Sequence, residues 1–169
     1  MSLILIGGGS RSGKSRYALN LARKSGGPVA FIATARAEDD EMRERVRRHR
    51  QERGPEFTTF EEPFEVASLL IADGGRFDTF VVDCLTLWLS NQLLAGVDDM
   101  AQQSRRLIEA AAATEARVLM VTGEVGCGIV PENALARQFR DLAGALNQDA
   151  AAAAVEVYWM VFGIPLKVK

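Results

Sequence analysis

Eight residues near the start of the chain, Gly8-Gly9-Ser10-Arg11-Ser12-Gly13-Lys14-Ser15, constrain its fold more than any other stretch. They follow the apolar run Leu3-Ile4-Leu5-Ile6 and precede a segment in which Leu19 and Ala22 share one side, with Arg16 and Arg23 elsewhere. A strand that enters G-x-x-x-x-G-K-S and leaves it as a helix is the setting of a phosphate-binding loop. The glycines let backbone N–H groups turn inward on phosphate oxygens, Lys14 reaches the outer phosphates, and the Ser15 hydroxyl can coordinate Mg²⁺. A glycine-rich turn that merely holds a Lys and a Ser is the plain alternative, and the flanking strand and helix argue against it.

Beyond that loop, strands and helices alternate. Gly26-Gly27-Pro28 stops the first helix, and Val29-Ala30-Phe31-Ile32-Ala33 predicts a second strand. A helix is expected from Asp39 or Asp40 to about Arg53, ended by Gly54-Pro55. Short strands are expected at residues 57–60 and 79–83, with helices at 64–72, through Leu94, and at 100–114. A fourth strong strand is predicted at 118–122. A helix at 132–152 follows, with Leu135, Phe139, Leu142 and Leu146 at helical spacing, and strands at 155–161 and 166–168 close the chain around a Gly163-Ile164-Pro165 turn. This order predicts an open α/β fold of the P-loop NTPase kind, a mainly parallel sheet covered by helices on both faces with ligands at the carboxyl ends of the strands. With 169 residues, 48% of them hydrophobic, residues 1–169 are expected to form one domain around one core.

Charge and composition narrow the partners. A net charge of −2 with interspersed acids and bases gives no general attraction to nucleic acid or an anionic membrane. The start lacks the basic region and longer apolar stretch of a signal peptide, and no apolar run reaches the roughly 20 residues of a membrane span, so the expectation is a soluble, cytoplasmic protein. Cys84 and Cys127 fit neither a C-x-x-C motif nor a metal-ligand pattern and read as two free, mostly buried thiols.

Three further segments carry chemistry. Asp83 ends the apolar run Thr79-Phe80-Val81-Val82, where phosphoryl transfer needs a carboxylate to organise a metal ion. In the 39–53 segment Met42, Val46 and His49 share one helical face, surrounded by Arg43, Arg45, Arg47, Arg48, Arg50 and Arg53. Guanidiniums favour the neutral, nucleophilic form of an adjacent imidazole and can hold a polyphosphate, whereas a lone His and an Arg-rich face are ordinarily structural or solvated. The loop through Gly123, Gly126 and Gly128 follows a strand and enters a helix, so it is either a close approach to a ligand or a tight connection.

Taken in order, Gly-Gly-x-Arg-Ser-Gly-Lys-Ser, the Ile-Ala-Thr strand end, Asp-Asp-Glu-Met leading to His49-Arg50, Val-Asp-Cys-Leu-Thr-Leu-Trp-Leu-Ser-Asn, Glu-Val-Gly-x-Gly-Ile-Val-Pro-Glu-Asn and Arg-x-Phe-Arg-Asp-x-x-Gly-x-x-Asn resemble one family across almost the whole chain. It is the bifunctional adenosylcobinamide kinase and adenosylcobinamide-phosphate guanylyltransferase family of cobalamin biosynthesis. The resemblance implies two reactions: phosphorylation of adenosylcobinamide by ATP or GTP, then transfer of GMP from GTP to the new phosphate through a histidine-bound GMP. The family histidine falls on His49, and Lys14 and Asp83 are the other catalytic candidates. Nucleotide contacts fall on Gly8 through Ser15, on Thr34, Ala35 and Arg36, on Arg50, Gln51, Glu52 and Arg53, on Glu61 and on Asp83, with Mg²⁺ expected on Ser15 and Asp83. A homotrimer with sites between subunits is also implied. One departure is Gly123, where relatives commonly carry Asn before Glu-Val-Gly, and it bears on whether both activities persist here.

Two other functions compete. An ordinary small-molecule kinase would use Lys14, Ser15 and Asp83 and form no covalent nucleotide. A nucleotide-controlled binding module would turn over slowly and require a partner.

Overall fold

The computed structural model describes residues 2–36, 44, 47 and 53–169. Seven strands run in chain order as β1 (Ser2–Gly8), β2 (Val29–Ala33), β3 (Phe57–Glu61), β4 (Thr79–Asp83), β5 (Arg117–Val121), β6 (Glu156–Val161) and β7 (Ile164–Lys167). The described helices are α1 (Lys14–Arg23), α2 (Val66–Asp73), α3 (Leu85–Leu94), α4 (Met100–Ala113) and α5 (Ala134–Ala153). One sheet takes the strands in the order β3-β2-β4-β5-β1-β6-β7, parallel except for the final β6–β7 hairpin. The mainly parallel α/β architecture expected from the alternation is therefore present.

Strand alternation sorts the core into two layers. Leu3 and Leu5 of β1 face one side with Ile32, Phe80, Val82, Val118 and Met120, under α2, α3, α4 and α5. Ile4 and Ile6 face the other with Phe31, Val81, Leu119 and Val121, under Ala18, Leu19 and Ala22 of α1. Successive strand residues point to opposite faces, so a strand buried on both must be apolar throughout, as these are. β1 sits between β5 and β6, and the loop that follows it opens at the carboxyl edge between the ends of those two strands.

The structure corrects several local expectations. The turn between the last strands is Phe162-Gly163, while Ile164 and Pro165 belong to β7 and stand opposite Val161 and Met160. Proline lacks the N–H a central strand needs, and β7 tolerates it as the edge of the sheet. Cys127 is exposed rather than buried, because residues 123–131 form an irregular surface loop, and Cys84 is partly buried. Leu146 is 2% exposed and Phe139 and Leu142 pack against the core, but Leu135 stands 46% exposed in the first turn of α5. The helix expected at 39–53 lies outside the described residues save Glu44 and Arg47, both helical and joined by a 2.6 Å ion pair, and Arg53.

Candidate active site

The sheet brings four loops to its carboxyl edge. The first is the Gly8–Ser15 loop. Gly8 has φ 149°, and a Cβ on it would lie 2.9 Å from the Met160 carbonyl and 2.9 Å from the Ser12 hydroxyl, so no side chain fits there without a shift in β6. Gly13, at φ 93°, opens α1, and no side chain caps that helix. First-turn amides with no capping partner, at the positive end of a helix dipole, are what a phosphate binds. Lys14 reaches back over the loop and donates to the Gly9 carbonyl at 2.6 Å. The loop is braced from both neighbours: the Glu124 amide donates to the Gly8 carbonyl at 3.1 Å, and the Gly163 amide to the Ser12 carbonyl at 3.1 Å.

The second group joins β2 to β4. Thr34, fully buried, accepts from the Cys84 amide at 2.7 Å and donates to the Cys84 carbonyl at 2.8 Å. Asn91 of α3 donates to the Thr34 carbonyl at 2.8 Å and to the Pro63 carbonyl at 3.2 Å, while Trp88 and Gln92 donate to the Phe64 carbonyl at 2.9 and 3.0 Å. These bonds fix the strand end that carries Asp83. Its Oδ2 is buried and has no hydrogen-bond partner among the described residues. A carboxylate oxygen left so is costly to the fold and suits a cation or a cation-bound water.

Cys84 links Asp83 to the phosphate loop electrostatically. Burial first, then the adjacent Asp83 carboxylate, push its thiol up to about 11, while Lys14 draws it down. Among the described residues no group of three or more His, Cys, Asp or Glu could hold a metal. The donor set available is thus a hydroxyl, Ser15, and a carboxylate, Asp83. It fits Mg²⁺, a hard ion that binds through one or two protein oxygens and fills its shell with phosphate and water.

The third group lies on the β2–β3 flank. Arg53 is 7% exposed and stacks on the Phe31 ring at 4.0 Å, and with Gly54, Pro55, Thr59 and Glu61 it lines a cleft of about 510 Å³. Arg36 lies 5.6 Å from the Phe64 ring. Glu62, next to the expected Glu61, is occupied structurally, accepting from the Phe64 and Glu65 amides at 3.0 and 2.9 Å ahead of α2. His49, Arg50, Gln51 and Glu52 lie outside the described residues.

The fourth group contains Gly123, singled out from sequence with its loop, together with Thr86, Thr122 and Asn147, to which sequence reasoning gave no role. Thr122, just past β5, donates to Asn147 of α5 at 2.6 Å, and Asn147 donates to the Gly123 carbonyl at 3.5 Å. The Gly123 amide in turn donates to the Thr86 hydroxyl at 2.6 Å. This chain of bonds positions the strand end between Asp83 and the phosphate loop, since Val121 pairs with both Asp83 and Ile6. A Cβ on Gly123 would meet the Thr86 hydroxyl at 3.0 Å, so the glycine allows a closer approach than a larger residue would. The signal was a polar Asn147 on the inward side of an otherwise apolar helical face.

The family model described as cobinamide kinase / cobinamide phosphate guanyltransferase matches residues 4–168. A bifunctional adenosylcobalamin biosynthesis protein, CobP, of Pseudomonas aeruginosa is 41% identical over 166 residues, covering 98% of this chain and 96% of that protein. CobU proteins described in the same words from Salmonella typhimurium and Escherichia coli are 41% and 40% identical over 181 aligned positions, covering 99% of each chain. Among solved structures, the RadB recombinase aligns with a TM-score of 0.55 at 16% identity over 94% of this chain and 73% of its own. A prototypical ATPase from the type III secretion system of pathogenic bacteria aligns with a TM-score of 0.57 at 11% identity, over 98% of this chain and 56% of its own. Identities this low speak to the fold alone.

Proposed function

Because the chain belongs to the cobinamide kinase / cobinamide phosphate guanyltransferase family, we propose that it phosphorylates the side-chain hydroxyl of adenosylcobinamide and then caps that phosphate with GMP. The reading is supported by an α1 N-terminus with no side-chain cap, at Lys14 and Ser15, and by a buried Asp83 Oδ2 with no hydrogen-bond partner among the described residues, in a chain that matches the family from residue 4 to residue 168.

In the first step the corrinoid hydroxyl attacks the γ-phosphorus of ATP or GTP and the nucleoside diphosphate leaves. The loop amides and Lys14 stabilise the charge that spreads over the transferring phosphoryl oxygens, and positioning does most of the rest. Ser15 and Asp83 would hold Mg²⁺, which supplies charge neutralisation between the outer phosphates. Thr34, Asn91 and the Thr86–Gly123–Asn147 bonds keep the surrounding strand ends fixed.

In the second step the His49 imidazole attacks the α-phosphorus of GTP, a P–N bond forms and pyrophosphate leaves. A phosphate oxygen of adenosylcobinamide phosphate then attacks the same phosphorus, releasing His49 and giving adenosylcobinamide-GDP. Arg50, Gln51, Glu52, Arg53 and Glu61 are assigned to the nucleotide of this step. Thr34, Ala35 and Arg36, at the head of the same flank, complete the assignment.

The assembly belongs to the same reading. A homotrimer with sites shared between subunits would give a domain this small the walls it needs around a corrinoid. Ile129, Val130 and Leu135, respectively 96%, 58% and 46% exposed, offer apolar surface for such a contact.

Incubation of the full chain with adenosylcobinamide, ATP, GTP and Mg²⁺, followed by chromatography and mass spectrometry of the corrinoids, tests the proposal. Phosphorylated and then GDP-linked adenosylcobinamide are expected in sequence. Recovery of unmodified substrate from a folded, nucleotide-binding protein would contradict it.

A further inference from the structure

Helix α5 stands partly above the sheet. Its last turn leads to Val155, whose amide donates to the Leu3 carbonyl at 2.9 Å near the amino end of β1. Asn147, earlier in the helix, is level with the opposite edge: it accepts from Thr122 at 2.6 Å and donates to the Gly123 carbonyl at 3.5 Å, just past β5. The helix therefore runs against the strands, and its rise per residue carries Arg140 about 10 Å beyond the carboxyl edge. The step from Asn147 back to Arg140 closes nearly two full helical turns, so both lie on one face and Arg140 stands over the end of β5.

The chain itself makes little use of the Arg140 guanidinium. The side chain is only 25% exposed, and its ion pair with the adjacent Asp141 is a 4.0 Å approach, outside hydrogen-bond distance. It makes no hydrogen bond among the described residues, whereas Arg137, one turn away, donates to the Pro131 and Glu132 carbonyls at 3.0 and 2.5 Å. A guanidinium largely removed from water and left without hydrogen bonds is costly, and phosphate oxygens match its planar fork. Gly144, one turn on along the same face, keeps space open beside it. A Cβ on Gly144 meets nothing within 4 Å, so packing within the chain does not require a glycine that weakens the helix.

Sheet order places the outer phosphates at the same point. Asp83 ends β4, the phosphate loop follows β1, and β5 lies between the two strands. Lys14 and Asp83 both serve the outer phosphates of a bound triphosphate. Phosphates that meet both must lie over the end of β5, beneath Arg140.

We propose that Arg140 is a further catalytic residue, whose guanidinium binds oxygens of the terminal phosphoryl group on the side away from the loop amides. It neutralises the charge that spreads over those oxygens as the group moves. The bond from the γ-phosphorus to its bridging oxygen breaks, a bond to the acceptor hydroxyl oxygen forms, the nucleoside diphosphate leaves and the hydroxyl proton is released to water. Arg140 gives up no proton, because a guanidinium stays charged. The proposal rests on the reading above only in that the loop holds a nucleoside triphosphate and passes on its terminal phosphoryl group; it does not depend on His49 or on the identity of the acceptor.

The test is calorimetric titration of the full chain, with Mg²⁺ present, by ADP and by the non-hydrolysable β,γ-imido analogue of ATP, which differ in the terminal phosphoryl group. Arg140→Met keeps a buried aliphatic stem and removes the guanidinium. It is expected to weaken the analogue about 10- to 100-fold, the scale of hydrogen bonds to a charged group, and to leave ADP affinity unchanged. Single-turnover transfer to adenosylcobinamide should slow by about 10²–10³-fold. Arg140→Lys should recover part of both effects, since it restores the charge without the fork. Thermal unfolding should show Arg140→Met no less stable than the parent. Unchanged analogue affinity in Arg140→Met would overturn the proposal. So would an equal loss of ADP and analogue, which would mean a disturbed phosphate loop, or a lowered unfolding temperature, which would make Arg140 a packing residue. A parent chain that shows the expected contrast with Arg140→Met yet phosphorylates no adenosylcobinamide would remove the function proposed above and leave this inference standing.

Discussion

The hydroxyl of Thr34 makes two hydrogen bonds to one residue, accepting from the amide of Cys84 at 2.7 Å and donating to its carbonyl at 2.8 Å. It thereby ties the end of β2 to the residue after Asp83, fifty positions along the chain. Thr34→Val keeps the shape and removes both bonds, leaving a backbone amide and carbonyl without this partner. The expected cost is about 1–3 kcal/mol in urea denaturation. Thr34→Ser should restore most of it, and kinase turnover should follow the same order because Asp83 loses its support.

Lys14→Ala and Ser15→Ala are expected to abolish both activities, because on the proposed reading one phosphate loop serves both triphosphate-dependent steps. Asp83→Asn should lower phosphoryl transfer by about 10²–10³-fold, the scale of removing one electrostatic contact to the transition state. It should not destabilise the fold, since the Asp83 Oδ2 makes no hydrogen bond among the described residues. Single-turnover kinetics beside urea denaturation separates the two effects.

Two adjacent glycines should respond differently to the same change. Gly8→Ala places a Cβ 2.9 Å from the Met160 carbonyl at φ 149°, whereas a Cβ on Gly9 meets nothing within 4 Å. Gly8→Ala is expected to cost about 1–3 kcal/mol and Gly9→Ala little, by equilibrium denaturation.

The two cysteines should be told apart by alkylation. Cys127 is exposed, while the Cys84 thiol is pushed up to about 11 from an ordinary value of 9.0. Iodoacetamide at neutral pH should therefore label Cys127 first, read by peptide mass spectrometry. The same shift gives a sign for stability. Between about 9 and 11 the unfolded chain has released the Cys84 proton and the folded chain retains it, so the unfolded state binds fewer protons and stability falls as pH rises through that window. Cys84→Ser should flatten the decline.

Much of this architecture was legible before any coordinates. Strands such as 79–83 are buried on both faces, and that demands an apolar run ended by a polar residue, which is how Asp83 stood out. The phosphate loop was legible because its glycines answer to backbone geometry, and Gly8 and Gly13 do take the conformations that exclude a side chain. Periodicity failed where tertiary context decided. Leu135 keeps its helical spacing yet lies in the first turn of α5, beyond the edge of the core, and Ile164-Pro165 reads as a turn until β6 is found pairing with it. The roles of Thr86 and Asn147 depend on hydrogen bonds across 24 to 37 positions of sequence, which no local pattern encodes.

The central claim is that His49 carries GMP between the two substrates. The measurement that tests it most directly is mass spectrometry of the intact chain after incubation with GTP and Mg²⁺, followed by peptide mapping. The expected result is one added GMP, located on His49, labile in acid and comparatively stable in base as a phosphorus–nitrogen bond should be. His49→Ala should lose both the adduct and guanylyl transfer while still phosphorylating adenosylcobinamide, because the phosphate loop and Asp83 remain. An adduct on another residue, or full guanylyl transfer by the His49→Ala protein, would contradict the account and leave an ordinary phosphate-loop kinase.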